Sequence, residues 1–167
     1  MDSLKDFDSF IRSCDRLAGQ LEQKQLSAAV RKGAKLVQRA IASAAPEDSG
    51  DLKKGLILLK EQRHPKGKAV YQVTMDRQMN AVFQKPVRNP IRSKSKIAYY
   101  PASQEYGYFT RRPGGGMVYV KGDGSQATMN KVPGKYYMRT GADVVGEAAK
   151  NAIAKHILDE IAQEWGG

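Results

Sequence analysis

The residue types that do most protein chemistry are thinly spread along this chain. The two histidines, His64 and His156, stand in no zinc-binding spacing such as H-E-x-x-H, and Cys14 has no second cysteine to complete a metal cluster or an intrachain disulfide. Gly114-Gly115-Gly116 lacks the Gly-Lys-Ser/Thr that completes a phosphate loop, so it reads as a hairpin tip. No G-x-S-x-G nucleophile elbow occurs. Paired carboxylates are missing from the middle third, which holds three acids, Glu61, Asp76 and Glu105. Cys14 falls on an apolar helical stripe and reads as a small core side chain. His156 flanks another such stripe and reads as a half-buried structural residue. The expectation is a protein that is not an enzyme and uses no cofactor or metal.

Positive charge is abundant instead. The net charge is +11 over 167 residues, and residues 60–121 carry thirteen basic side chains against three acidic ones. The flanking segments 1–59 and 122–167 are nearly balanced, at +2 and −1. Such a region attracts phosphate or an acidic protein face. The candidates for contact with a partner or with DNA are Arg77, Lys85, Arg88, Arg92, Lys94, Lys96, Arg111 and Arg112. Tyr99, Tyr100, Tyr106, Tyr108 and Tyr119 interleave with these cations, as they would in a base-stacking surface. With no RNP-type motif beside them, they read as strand and core-edge residues.

The elements that must carry these side chains follow from periodicity. Leu4, Phe7, Ile11, Cys14, Leu17 and Leu21 form one helical stripe, and Leu26, Val30, Gly33, Val37, Ala40 and Ala44 a second, out of phase with the first. Small residues on the second stripe, Ala29, Gly33, Ala34, Ala40 and Ala44, permit close approach of another element. Pro46 ends the helix. Leu56–Lys60 and Val70–Met75 have strand character and flank the turn His64-Pro65-Lys66-Gly67, which predicts a hairpin. Residues 84–96, with Pro86, Pro90 and many cations, predict a long exposed loop. Tyr108–Arg112 and Met117–Lys121 predict a second hairpin around the glycines, and Gly122–Asn130 a polar loop. Thr140, with Asp143 three residues on, predicts the N-cap of a final helix striped by Ala142, Val145, Ala149, Ala152, Ile153, Ile157 and Ile161 and extended by Trp165.

The fold class expected is α+β: an antiparallel sheet packed against a long N-terminal helix and a C-terminal helix, with long extended loops. A chain of this length predicts a single domain, 1–167, helical over 3–45, strand-rich over 55–121 with a basic loop at 77–96, and helical again over 140–165. The acidic start Met1-Asp2-Ser3-Leu4-Lys5-Asp6 is unlike a signal peptide, and the longest strongly apolar run is Leu56–Leu59. The expectation is a soluble protein made in a reducing cytoplasm, without membrane contact.

Three separated stretches align with one pattern. A basic amphipathic helix runs into Ala45-Pro46-Glu47-Asp48-Ser49-Gly50-Asp51-Leu52-Lys53; Tyr99-Tyr100-Pro101-Ala102-Ser103-Gln104-Glu105-Tyr106-Gly107 lies mid-chain; and Pro133-Gly134-Lys135-Tyr136-Tyr137-Met138-Arg139-Thr140-Gly141-Ala142 leads into the last helix. Their order and content resemble the tail-completion and head–tail joining (neck) proteins of long-tailed bacteriophages. Pro46, Asp48, Ser49, Gly50 and Leu52 match that family's turn, with Ser49 replacing its usual threonine. Glu105 and Gly107 match its central acid and glycine. Tyr137 and Met138 stand where the family has an aromatic–aliphatic pair, and Ala142 stands near the start of the last helix. The chain departs from the family in extra length at 77–96 and 109–132, and in lacking a proline just before the last helix.

The resemblance implies a non-enzymatic virion protein, a subunit of a ring, typically six-membered, that completes the tail and joins it to the head connector so that DNA can pass. Its implied partners are copies of itself and the adjacent connector, tail-tube or tail-terminator proteins, with transient contact with phage DNA, and its place is the virion neck after assembly in the host cytoplasm. The basic loops would dock on acidic faces of neighbouring rings. A tail terminator belongs to the same structural class. From a different class, the charge also fits a sequence-nonspecific nucleic-acid-binding domain.

Overall fold

A computed structural model describes residues 23–63, 65, 67–87, 97–111, 117–120 and 126–165. The first helical stripe and Cys14 lie outside these residues. The fold is α+β, with two long helices and small antiparallel sheets.

Helix α1 (Gln23–Ala44) and the last helix, α5 (Tyr137–Trp165), form the scaffold. Leu26 and Ala29 of α1 cluster with Ile157 and Ile161 of α5. Further along, Gly33 faces Ile153, and Ile41 faces Gly141. As the numbers rise on one helix they fall on the other, so the pair is antiparallel. Glycine sets the crossing distance from both sides. A Cβ on Gly33 would lie 2.6 Å from Ile153 Cγ1, and one on Gly141 would lie 2.6 Å from the Ile41 Cα. The small residues of the second stripe therefore do admit a close neighbour.

Strands β1 (Leu56–Lys60) and β2 (Tyr71–Met75) form the expected antiparallel hairpin, in register from Leu56 opposite Met75 to Lys60 opposite Tyr71. Polar groups of α1 hold it. Gln38 Nε2 donates to the Leu56 carbonyl at 2.8 Å. At the other end, Gln23 Nε2 donates to the Lys68 carbonyl at 2.6 Å, while its Oε1 accepts from Gly67 N at 3.0 Å. Between α1 and β1, the short helix α2 (Asp51–Lys54) inserts Leu52 into the core. That core joins Ile41, Ala45, Leu52, Leu56, Met75, Phe83 and Tyr137. Burying a side chain of the size of leucine or phenylalanine contributes about 1.5–3 kcal/mol.

Three expectations are corrected. The segment from residue 77 is not an exposed loop from its start. Asp76 Oδ1 accepts from Gln78 N at 2.9 Å and caps a tight turn, Arg77–Met79, that continues into α3 (Asn80–Phe83). Met79 and Phe83, four residues apart, fall on one helical face, and Phe83 is 0% exposed. Next, β3 (Gln84–Pro86) pairs with β4 (Ile97–Tyr99), although Pro86 and Lys85 read as loop residues. An edge strand tolerates proline because only one side of it needs a ladder.

The predicted second hairpin is also rearranged. Strands β5 (Gly107–Arg111) and β6 (Met117–Val120) do not pair with each other; both flank β7 (Gln126–Pro133), in the order β5-β7-β6. The polar stretch Gly122–Asn130 reads as loop, yet Gln126–Asn130 lie in β7, because a strand between two partners has its backbone groups satisfied on both edges. Helix α4 (Tyr100–Tyr106) connects β4 to β5, with Pro101 in its first turn.

The third correction concerns the last helix, which starts at Tyr137. Thr140 is inside its first turn, with its N–H donating to the Tyr136 carbonyl at 2.8 Å, and is therefore not the cap.

Candidate functional site

The true cap comes from far along the chain. Glu105, at the end of α4, is 6% exposed, and its carboxylate accepts from Met138 N at 2.9 Å and from Arg139 N at 3.3 Å. These two N–H groups belong to the first turn of α5, where no helical carbonyl can reach them. The backbone reinforces the joint: Lys135 N donates to the Gln104 carbonyl at 2.7 Å and Tyr136 N to the Glu105 carbonyl at 3.1 Å. Gly107 then turns the chain into β5 with φ +83°, and a Cβ there would lie 2.3 Å from the Val132 carbonyl oxygen. Only glycine fits that conformation and that gap.

Tyr137 enters the core from the same joint and is 1% exposed, its hydroxyl 3.8 Å from Met75 Sδ. Burial pushes this hydroxyl up to about 12, with the nearby Glu105, Tyr99 and Tyr100 adding to the effect. Burial also raises Tyr100, with smaller contributions from Asp48 in the turn before α2 and from Asp51 at the start of α2. Tyr100 and Met138 pack against the cluster that contains Leu52 and Tyr137. In the turn itself, the Ser49 hydroxyl donates to Asp51, Lys53 pairs with Glu47, and Gly50 takes φ +74° before α2. Pro46 is half-buried and Asp48 exposed. The three stretches 45–53, 99–107 and 133–142 thus meet at one joint.

The basic candidates are not brought together in the same way. Arg77 is exposed on the turn after β2, Lys85 is exposed on β3 opposite Ala98, and Arg111 ends β5 opposite Met129. Arg88, Arg92, Lys94, Lys96 and Arg112 lie outside the described residues. Of the interleaved tyrosines, Tyr100 is half-buried as a structural residue, whereas Tyr106 and Tyr108 are exposed, at 66% and 43%. Arg139 stacks over the ring of the exposed Tyr136, 5.8 Å from its centroid.

A second basic surface was hidden by averaging. Helix α1 holds Lys24, Arg31, Lys32, Lys35 and Arg39 and no acid. The near-neutral balance of residues 1–59 comes from acids at 2–22 and 47–51, on either side of Gln23–Ala44 in the sequence. Counting charge within helix boundaries reveals it. Lys24, Arg31, Lys32 and Lys35 line a shallow open groove with Ser27, Ala28 and Tyr71. Ser27 and Tyr71 share a hydroxyl–hydroxyl hydrogen bond of 3.0 Å. Lys32 Nζ is 3.0 Å from His156 Nδ1 on α5, and Glu160 is 3.8 Å from the same nitrogen. His156 is half-buried between the helices.

Among the described residues, no group of three His, Cys, Asp or Glu is arranged to hold a metal ion, and no helix is long and apolar enough to cross a membrane. Comparison with known proteins returns no matching family model, no similar curated protein and no similar solved structure.

Proposed function

We propose that this chain is a structural, non-enzymatic subunit of a bacteriophage neck, assembling as a ring that completes the tail and joins it to the head connector. The observation that carries this reading is the joint itself. The turn containing Pro46 and Leu52, the central Glu105 and Gly107, and the pair Tyr137–Met138 resemble the neck-protein pattern in three separate stretches of sequence. They converge in space, and each does a distinct job: Leu52 and Tyr137 fill the core, Glu105 caps the last helix, and Gly107 makes the turn into β5. A ring subunit needs such a rigid body to carry the segments that grip its neighbours. Partner docking falls to the basic segment between β3 and β4 and to Arg111 at the end of β5.

The test is particle assembly. Glu105 has a structural task and β3 is part of a sheet, so neither should be removed. The informative variant deletes 88–95 and leaves both strands of the pair in place. The expected result is filled heads and finished tails that do not join, visible by electron microscopy of lysates. Normal joining overturns the reading.

A further inference from the structure

The groove on α1 is separate from the joint, and among the described residues no acidic partner accounts for the charge of Lys24, Arg31 and Lys35. On a helix of 3.6 residues per turn, Lys24, Arg31 and Lys35 fall within an arc of about 40° and span about 16 Å along the axis. Leu26, Ala29 and Gly33 occupy the opposite side, against α5. The three cations are exposed, and among the described residues no carboxylate pairs with any of them. Between Lys24 and Arg31 stands Ala28, whose short side chain leaves the groove open. Beside it, the Ser27 and Tyr71 hydroxyls carry two hydrogens and use one in their mutual bond. One O–H remains to donate to a ligand oxygen. Lys32, held at His156, closes the α5 side.

The geometry points to a binding site for the phosphate backbone of double-stranded DNA, with Lys24, Arg31 and Lys35 each meeting a phosphate along one strand. A row of phosphates complements this groove in charge and in having only acceptors for the free O–H. No base edge is read, so binding is independent of sequence. The site does not depend on the neck reading, and the two fail on different measurements, one on particles and the other on the purified chain.

The test is fluorescence anisotropy of the full chain with a labelled duplex of about 20 bp and arbitrary sequence, titrated between about 50 and 200 mM salt. The variant is Lys24→Gln, Arg31→Gln, Lys35→Gln. The control removes three exposed cations elsewhere, Lys54→Gln, Lys131→Gln, Lys135→Gln. The expected result is at least about a tenfold loss of affinity in the groove variant, with a log–log salt slope shallower by about 3. The control should keep most of its affinity. Poly-glutamate of equal charge should displace the duplex poorly. The proposal is overturned by the absence of duplex binding, by equal losses in variant and control, or by poly-glutamate binding the groove more tightly than DNA.

Discussion

The carboxylate of Glu105 and the backbone N–H of Met138 are joined at 2.9 Å, so that a residue ending one helix caps the start of another. The same side chain also accepts from Arg139 N. Because Glu105 is buried, water cannot replace it. Glu105→Ala therefore leaves two helix-terminal donors without an acceptor, at a cost of about 1–3 kcal/mol. Glu105→Gln keeps one acceptor oxygen and should lose less. Urea denaturation, read as the shift in midpoint at constant slope, checks the order. Equal midpoints for wild type and Glu105→Ala would show that the cap contributes nothing.

The two long helices give a prediction whose sign changes with position. Alanine is the better helix former by about 1 kcal/mol, so Gly→Ala stabilises a helix wherever there is room. At Gly146 a Cβ meets nothing within 4 Å, and Gly146→Ala should raise stability. At Gly33 the new Cβ would sit 2.6 Å from Ile153 Cγ1 and 2.9 Å from the Ala149 carbonyl oxygen. The side chain can shift, but the backbone oxygen cannot do so without moving α5. Overpacking costs about 1–3 kcal/mol and outweighs the propensity gain. Gly33→Ala should lower the thermal midpoint, and Ile153→Val should relieve only part of the loss in a double-mutant cycle.

How much of this is legible in sequence depends on whether the cause is local. The stripes of α1 and α5 and the β1–β2 hairpin are visible because periodicity and turn residues lie in the same short window. The cap of α5 is not visible, because Thr140 satisfies the local pattern while the acceptor sits on α4. Strand β7 is hidden because Gln126, Thr128, Asn130 and Lys131 look like loop residues, and its stability comes from two neighbouring strands. The basic face of α1 is masked for a third reason. Acids before and after Gln23–Ala44 in the sequence cancel its charge in any wide window. At the joint, the residues were individually visible as motif positions, but their convergence requires the fold.

Tyr137 makes the fold sensitive to alkali. An unfolded tyrosine ionises near pH 10, whereas the buried hydroxyl does so near 12. The unfolded chain therefore loses this proton first as the pH rises. The Tyr137 contribution is intact below about pH 10 and declines as the pH climbs toward 12. Tyr99 and Tyr100 are shifted in the same direction, so Tyr137→Phe should flatten the decline without abolishing it. Denaturation midpoints across that range, compared between the two proteins, provide the measurement. Parallel curves would remove Tyr137 as the cause.

Phe83 decides whether the segment after β2 is an arm or part of the body. An arm that orders only on assembly would tolerate truncation of any one side chain in the isolated protein. Phe83, however, is 0% exposed, makes an edge-to-face contact with Tyr99 at 5.9 Å between ring centroids, and shares the core with Leu52 and Tyr137. The contact with Tyr99 also ties α3 to β4, the partner of β3 in the short sheet. Phe83→Ala should then cost about 3–5 kcal/mol. Arg77→Gln, on the exposed turn just before α3, should change stability by no more than about 0.5 kcal/mol. If both variants unfold at the wild-type denaturant concentration, the segment is an arm throughout. If only Phe83→Ala is destabilised, the body extends to β3, and any partner-gripping segment begins beyond it.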